Sequence, residues 1–252
     1  MITEAYDLSK PKIIPEITNI AGNFSDVCIC TFSKAVLDYA LAHLDMEVVN
    51  HTSTANGDIY LYQINYNEKK ILFYMSPITA PIAATLIDEM RVCGGFNKII
   101  SFGSCGVLQP DVVNNRVIVP TECYRDEGLS YHYMEPTDYI KINNADKLAE
   151  MFEQLQVPYI KGRNWTTDAI YMETENKINK RVAEGCLSVE MESSALQALC
   201  NYRNLDFYNY FFAGDIVSDE KWNRARLGNQ EEYDCQVEMF LLALKIAEMI
   251  GD

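Results

Sequence analysis

The stretch that decides the fold is Lys98-Ile99-Ile100-Ser101-Phe102-Gly103-Ser104-Cys105-Gly106, in which an apolar run typical of a buried strand leads directly into a glycine-rich segment. Glycines let the backbone turn tightly and approach a ligand, and a serine hydroxyl adds a hydrogen-bond donor. The pattern predicts an anion-binding turn formed by Gly103, Ser104, Cys105 and Gly106. A Gly-x-x-Gly segment is also common in ordinary turns after strands, so the pattern alone leaves both interpretations open.

Apolar and amphipathic runs alternate on both sides of this stretch, which predicts an α/β protein: a three-layer α/β/α sandwich with a mixed, mostly parallel central sheet. Ligands in such folds bind at the carboxyl ends of strands, where residues 103–106 and 214–219 are expected. Strands are predicted at 27–31, 59–64, 71–76, 98–102, 117–120 and 208–217, and helices at 33–43, with Ser33 as cap, 81–92, 145–155, 193–202 and 231–250.

Length and composition fit one compact domain over residues 1–252, because a chain with 48% hydrophobic residues can bury a large core and contains no linker-like segment. A formal net charge of −15 argues against binding to nucleic acid or to anionic membranes. The first residues lack the pattern of a signal peptide and no apolar run reaches the roughly 18 residues of a membrane span, so a cytoplasmic protein is expected. The eight cysteines are scattered and predict reduced thiols and no metal site.

Two acidic motifs follow downstream, Ser188-Val189-Glu190-Met191-Glu192-Ser193 and Gly214-Asp215-Ile216-Val217-Ser218-Asp219. Glu190 and Glu192 are two residues apart at a predicted strand end and would share one face of extended backbone. A carboxylate at this strand end can accept hydrogen bonds from two hydroxyl groups of a ligand. The alternative is that both glutamates are solvated residues at the start of the next helix, where acidic side chains are favoured. Asp219 is a second candidate acidic group of a site, and the alternative is that it caps the helix that follows.

Taken together and in this order, Gly-Ser-Cys-Gly, Val-Glu-Met-Glu and Val-Ser-Asp resemble the purine nucleoside and uridine phosphorylase superfamily, from about Val27 to the C-terminus. The resemblance implies cleavage of the N-glycosidic bond of a nucleoside. It also implies a homo-oligomer (a dimer or a trimer of dimers), inorganic phosphate as co-substrate bound at residues 103–106, and no metal or organic cofactor.

The same resemblance assigns roles to individual residues. Glu192 would accept the ribose hydroxyls, with Met191 packed under the sugar and Glu190 supporting the site. Asp219 would protonate or hydrogen-bond N7 of a purine, while Asp215 would raise the pKa of Asp219 or compete for its role. In the segment Thr166-Thr167-Asp168-Ala169-Ile170-Tyr171, the residues expected against the base are Tyr171 and Ile170.

Two segments bear on which base is bound. Uridine-specific members carry a Gln and an Arg shortly after the base-stacking segment, where this chain has Thr174 and Asn176, so a purine is expected. The segment from Arg125 to Tyr133 nevertheless looks like one in uridine phosphorylases. His132 within it is either a pocket residue or a structural one, and the roles of Arg125 and Glu127 stay open.

This chain differs from the family at the residues that bind phosphate, the nucleophile. Phosphorolytic members surround phosphate with arginines, but Ser101 and Lys34 stand at two of those positions and no match to the third is clear. The anion site would then rest on residues 103–106, Thr79 and Lys34 or Arg125, and a lysine lacks the planar fork of an arginine. Three hypotheses remain, in this order: a purine-type nucleoside phosphorylase, a hydrolytic nucleosidase or uridine phosphorylase, and a non-catalytic nucleoside-binding or storage protein.

Overall fold

The structure is a computed structural model that describes residues 2–7, 9–15, 24–114, 116–218, 222–224 and 227–251. Its strands are β1 (Val27–Thr31), β2 (Met46–Thr54), β3 (Gly57–Tyr66), β4 (Lys69–Met75), β5 (Lys98–Val107), β6 (Val117–Asp126), β7 (Tyr139–Lys141), β8 (Tyr159–Thr167), β9 (Cys186–Glu190) and β10 (Asp206–Ile216). Its α-helices are α1 (Lys34–His43), α2 (Ala80–Gly94), α3 (Pro110–Val113), α4 (Ser130–Tyr133), α5 (Ala145–Gln154), α6 (Glu175–Ala183), α7 (Ser193–Arg203) and α8 (Gln230–Ile250), with short 3-10 helices at Ile2–Glu4 and Ile170–Met172.

The strands form one mixed sheet in the order β10-β6-β8-β9-β5-β1-β4-β3-β2, with β7 paired antiparallel to β6. Pairings are parallel between β1 and both β4 and β5, between β5 and β10, between β6 and β8, and between β8 and β9. Because β10 pairs with both β5 and β6, the strands β5, β9, β8, β6 and β10 close into a ring. The rest of the sheet continues outward from β5 through β1.

Helices cover both faces of the sheet, which confirms the predicted three-layer α/β architecture. Successive residues of β1 belong to opposite layers: Val27 and Ile29 pack with α1, α5 and α8, whereas Cys28 and Cys30 pack with α2 and α7. Burial on both faces is the reason such strands read as continuous apolar runs. Among the helices in the described part of the chain, none is long and apolar enough to cross a membrane.

Each predicted strand and helix overlaps an observed one, and α1 is capped as expected, with Ser33 Oγ accepting from the Val36 N–H at 3.3 Å. The sequence interpretation missed β2, β8 and α6, and also the short elements β7, α3 and α4. β2 is half-exposed and rich in polar residues, so it lacks the apolar run by which the other strands were found. α6 buries little of its surface, with Ile178 and Arg181 as its buried residues.

The predicted turn at residues 103–106 is wrong, because β5 continues through it to Val107. The extension is held by pairing with β10, in which Gly103 lies opposite Phe211 and Ser104 opposite Phe212. On its other side, β5 pairs with β1 only as far as Phe102 and with β9 from Gly106 onward. The intervening edge of the strand therefore has no strand neighbour among the described residues, and its residues line the cavity described below.

Glycine is required at position 106 by close packing. A Cβ atom there would lie 2.5 Å from Cγ2 of Val217 and 2.9 Å from Cγ1 of Val189. Neither Gly103 nor Gly106 adopts a positive φ, so Gly106 is required for space and not for a left-handed backbone, whereas a Cβ at Gly103 would lie 3.7 Å from Cδ2 of Phe32, an ordinary contact.

Candidate active site

A cavity of about 530 Å³ opens at the carboxyl ends of the central strands. Its described walls come from β5, from the junction of β9 with α7, from β10 and from the segment around the second 3-10 helix. It therefore brings together most of the predicted site residues: Gly103, Ser104, Cys105, Gly106, Ile170, Tyr171, Glu190, Met191, Glu192 and Asp215.

Glu190 holds the junction of β9 and α7 together. Its Oε1 accepts from Asn164 Nδ2 at 2.7 Å and from Thr166 Oγ1 at 2.6 Å, and its Oε2 accepts from the N–H groups of Glu192 and Ser193, both at 2.8 Å. The last two are free donors at the start of α7, which a carboxylate satisfies well. With four donors already bound, Glu190 positions the site and leaves the contact with a ligand to its neighbours.

Glu192 is held differently, by one bond to its Oε1 from the Thr79 N–H at 2.7 Å. The Met191 N–H also favours the charged form of this carboxyl. Burial, and then the negative charge of Glu190, raise the pKa of Glu192 to about 8, while the Thr79 N–H opposes the shift. Glu192 lines the cavity, where hydroxyl donors of a ligand would favour its charged form.

The Thr79 N–H reaches Glu192 through a strained backbone. Thr79 precedes α2 with φ 94° and ψ 138°, a conformation that β-branched residues rarely adopt and that costs about 1–3 kcal/mol. Strain of this size persists only where the surrounding structure imposes it. At Thr79 the strained conformation directs the backbone N–H toward Glu192, the candidate for ribose binding. Thr79 thus contributes its backbone to Glu192 and does not line the cavity, contrary to its expected place in the anion site.

The structure also leaves Lys34 away from the cavity. Its ammonium group is paired with Asp38 on the surface of α1, and its side chain is 67% exposed. The described walls contain no Lys, Arg or His, whereas they include four carboxyl groups, those of Glu173, Glu190, Glu192 and Asp215. An anion in this part of the site would depend on Ser104 and on the unpaired edge of β5.

Arg125 does not supply the missing cation. It is buried, and it donates to Ser130 Oγ at 2.8 Å and to the Glu135 carbonyl and Thr137 Oγ1 at 2.7 and 3.0 Å. It therefore fixes the segment that follows β6. Glu127 serves the same region, accepting from Ser194 Oγ at 2.9 Å and from the Ser130 N–H at 3.0 Å. His132 lies on α4 and is not part of the cavity wall, which favours the structural interpretation.

At the base-binding candidates, the side chains of Ile170 and Tyr171 are 50% and 94% exposed and form an open apolar rim. Asp215 lies on β10, where its Oδ2 accepts from Trp222 Nε1 at 2.5 Å. Burial raises the pKa of Asp215, and the indole N–H opposes that shift. The predicted acid Asp219 lies outside the described residues, so its role stays a prediction.

Four residues of this site were missed in the sequence: Thr79 as the donor to Glu192, Asn164, Trp222 and Glu173. Glu173 lines the cavity directly after the second 3-10 helix. Burial, followed by the charge of Asp215, raises its pKa to about 7. The local sequence gives no signal for Glu173, because Asp215, the charged group that acts on it, is distant in the chain.

The comparisons with known proteins agree with this fold. The family model of the phosphorylase superfamily matches residues 26–241, so the chain belongs to that superfamily. A guanosine phosphorylase of Halorubrum lacusprofundi is 26% identical over 213 residues, which cover 81% of this chain and 78% of the relative.

Two further relatives are DeoD-type purine nucleoside phosphorylases. The protein from Bacillus velezensis is 26% identical over 144 residues, 56% of this chain and 62% of the relative. The protein from Alkaliphilus metalliredigens is 24% identical over 193 residues, 75% of this chain and 81% of the relative.

Proposed function

We propose that the protein cleaves the N-glycosidic bond of a purine nucleoside with inorganic phosphate as nucleophile, releasing the free base and ribose 1-phosphate. The observation that carries the proposal is the buried Glu192, which is held by the Thr79 N–H and lines a cavity of nucleoside size. A charged acceptor in a buried site binds hydroxyl donors strongly, and the sugar of a nucleoside offers such donors.

In the proposed reaction, a phosphate oxygen forms the new bond to C1′ as the bond from C1′ to the base nitrogen breaks. The electron pair of that bond leaves with the base, which takes up a proton. Ser104 and the open edge of β5 would hold phosphate, and Asp219 or Asp215 would serve the base. The protein contributes positioning and electrostatics, and neither a metal nor an organic cofactor has a part in the proposal.

The purine assignment rests on three supports. Thr174 and Asn176 stand where uridine-specific members would read the base, and here Thr174 caps α6 by accepting from the Lys177 N–H. Neither residue lines the cavity. The relatives named above are also described as purine nucleoside or guanosine phosphorylases.

Hydrolysis is the second candidate, and one observation favours it. The described cavity walls carry several carboxyl groups and no cationic side chain, an environment that opposes a phosphate dianion and leaves water unaffected. Phosphorolysis is nevertheless placed first because the superfamily is one of phosphorylases.

The test is a panel of nucleosides incubated with the purified protein in phosphate buffer, with chromatographic detection of free base. Release of base from inosine, guanosine or adenosine, with uridine a poor substrate, is the expected result. Uridine cleaved faster than every purine nucleoside would overturn the purine assignment. A homo-oligomer and a cytoplasmic location belong to the same proposal; cysteines that form no disulfide among the described residues suit a reducing compartment.

A further inference from the structure

A second cavity, of about 200 Å³, is formed by residues of α6, β6 and β8, and we call it the α6 cavity. Among the residues that the structure describes, it shares none with the wall of the candidate active site. Its described walls consist of two aromatic rings, one carboxyl group and three cationic side chains, those of Tyr124, Trp165, Asp126, Lys177, Lys180 and Arg181. In a chain with a net charge of −15, this wall is the reverse of the carboxyl-rich wall of the active site.

Arg181 carries the strongest indication of a ligand. Its side chain is 4% exposed, and its guanidinium lies over the Tyr124 ring with Cζ 3.4 Å from the ring centroid. Its Nη2 donates to Glu184 Oε1 at 2.9 Å, but its buried Nη1 donates to no residue in the described part of the chain. A buried guanidinium nitrogen without an acceptor is costly and is rare in native proteins. An acceptor supplied by a ligand would remove that cost.

The two lysines lie on the same face of α6 as Arg181, because residues three and four apart in a helix are neighbours. Lys177 Nζ is 3.4 Å from Asp126 Oδ2, an oxygen that also accepts from Trp165 Nε1 at 3.2 Å. Lys180 is exposed. Like charges at this spacing repel each other and destabilise a helix. A bound anion would relieve the repulsion among the three cations.

The size and charge of the α6 cavity limit what it can bind. Its volume is below the roughly 300–1,000 Å³ of pockets that enclose whole organic ligands, so a group of a few atoms fits. Its cationic side chains are donors and not acceptors, which suits an oxyanion. Three positive charges against the one carboxylate of Asp126 leave a net charge of +2, which favours a dianion over a carboxylate. The planar fork of an arginine binds two oxygens of a phosphoryl group at once, and a lysine adds a point charge.

We propose that the α6 cavity is a second anion site, which binds the phosphoryl dianion of inorganic phosphate or of a small phosphate ester through Arg181 and Lys180. Nη1 is the donor that Arg181 has to spare for this ligand. The site is independent of the proposed reaction, because it uses neither Glu192 nor residues 103–106. It would therefore bind phosphate even in a protein that cleaves no nucleoside.

The two tryptophans of the chain allow each cavity to be observed by itself, because Trp165 lines the α6 cavity and Trp222 lines the candidate active site. In Trp222→Phe the fluorescence of Trp165 is recorded while inorganic phosphate is added at about pH 8, where a phosphoryl group carries close to two charges. Sodium chloride holds the ionic strength constant. A saturable change in fluorescence is expected. Equilibrium dialysis with radiolabelled phosphate measures binding directly, and absence of binding to Trp222→Phe by both methods overturns the proposal.

Variants in the same background locate the site. Arg181→Met keeps the apolar packing of the side chain and removes its donors, so the phosphate concentration at half saturation should rise by about tenfold or more. Lys180→Gln removes an exposed charge and should raise that concentration by about two- to fivefold. Lys147→Gln is the matched control, since it removes the same charge from an exposed position on α5 and should leave the value unchanged. Unchanged values in both Arg181→Met and Lys180→Gln would overturn the proposal, and Lys180→Gln decides if Arg181→Met does not fold by circular dichroism.

Two further ligands define the anion. Sodium acetate should bind about tenfold more weakly than phosphate or worse, and equal binding would contradict the preference for a dianion. Ribose 5-phosphate, a small ester, distinguishes the sources: saturation at a lower concentration than inorganic phosphate identifies an ester as the ligand, and the opposite order identifies free phosphate.

Ser104→Ala separates the α6 cavity from the candidate active site. It should leave the Trp165 titration unchanged, whatever its effect on nucleoside cleavage. Phosphate binding at the α6 cavity in a protein without cleavage activity would support this inference and contradict the proposed reaction. A Trp165 response that disappears in Ser104→Ala would mean that Trp165 senses phosphate bound in the active site, and it would overturn the inference while leaving the reaction in place.

Discussion

Replacing Glu192 by glutamine should weaken catalysis and at the same time stabilise the fold. The amide oxygen can keep the bond that the Thr79 N–H now makes to Oε1 at 2.7 Å. The amide nitrogen then takes the place of Oε2 and presents donors to the hydroxyl groups of the sugar. A charged hydrogen bond is thereby lost, which costs about 2–3 kcal/mol of transition-state stabilisation, or about 30- to 150-fold in kcat/KM.

The substrate series tests whether the loss arises at the sugar. Ribonucleosides should lose the full factor, and 2′-deoxy analogues much less, because they lack one of the two hydroxyl groups that the carboxylate serves. The assay is kcat/KM for inosine and 2′-deoxyinosine with each protein. Equal losses on the two substrates would mean that Glu192 acts on the structure of the site and not on the diol.

The stability effect follows from the pKa of Glu192, which burial and Glu190 raise from 4.5 to about 8. A carboxyl with a raised pKa stabilises the folded protein fully below pH 4.5, and this contribution is lost as the pH rises through about 8. Glu192→Gln removes that loss, so its free energy of unfolding should exceed that of the wild type by about 1–3 kcal/mol above pH 8 and differ little near pH 4.5.

Glu190→Gln is the matched control for the stability measurement. Its carboxylate accepts four hydrogen bonds, so the amide NH2 of a glutamine there would turn a donor toward existing donors and should destabilise the fold by about 2–4 kcal/mol. Urea unfolding of both variants at several pH values compares them directly. A Glu192→Gln protein less stable than the wild type at high pH would refute the account of the buried pair.

Three further predictions concern other parts of the site. Gly106→Ala should lower the free energy of unfolding by about 1–3 kcal/mol, because its Cβ would overlap Val217 and Val189; an unchanged melting temperature would contradict the packing. Arg125→Met should destabilise the protein while leaving the KM for phosphate of the folded enzyme unchanged, and a large rise in that KM would place Arg125 in the anion site. Asp219→Asn should reduce inosine cleavage by about 10²-fold or more but spare a 7-methylpurine nucleoside, whose base is already cationic, and parallel losses would argue for a structural role.

The parts of the fold that the sequence predicts are those whose burial is uniform along the chain. β1 and β4 are covered on both faces, so their residues form unbroken apolar runs, and Ser33 marks the start of α1 by its capping side chain. β2 was not predicted because it is half-exposed, and its many polar residues hide the alternation of apolar and polar residues expected of a strand.

The sequence predicted many of the residues that line the cavity, but it placed Thr79 and Lys34 there wrongly and did not give the geometry. The motif residues converge on one cavity, yet the 103–106 segment is strand and not turn, because pairing with β10 decides its backbone. Glu173 depends on Asp215, and the Thr79 N–H depends on a positive φ before α2. Both are products of tertiary structure, which no local pattern encodes.

The measurement that tests the central claim most directly is the fate of the sugar. The purified protein and its best purine nucleoside are incubated with and without inorganic phosphate, and free base, ribose 1-phosphate and ribose are quantified together. Phosphorolysis predicts one ribose 1-phosphate for each base released, and base release that nearly stops without phosphate. Ribose formed at an unchanged rate in phosphate-free buffer would contradict the claim and identify the cavity as that of a hydrolase.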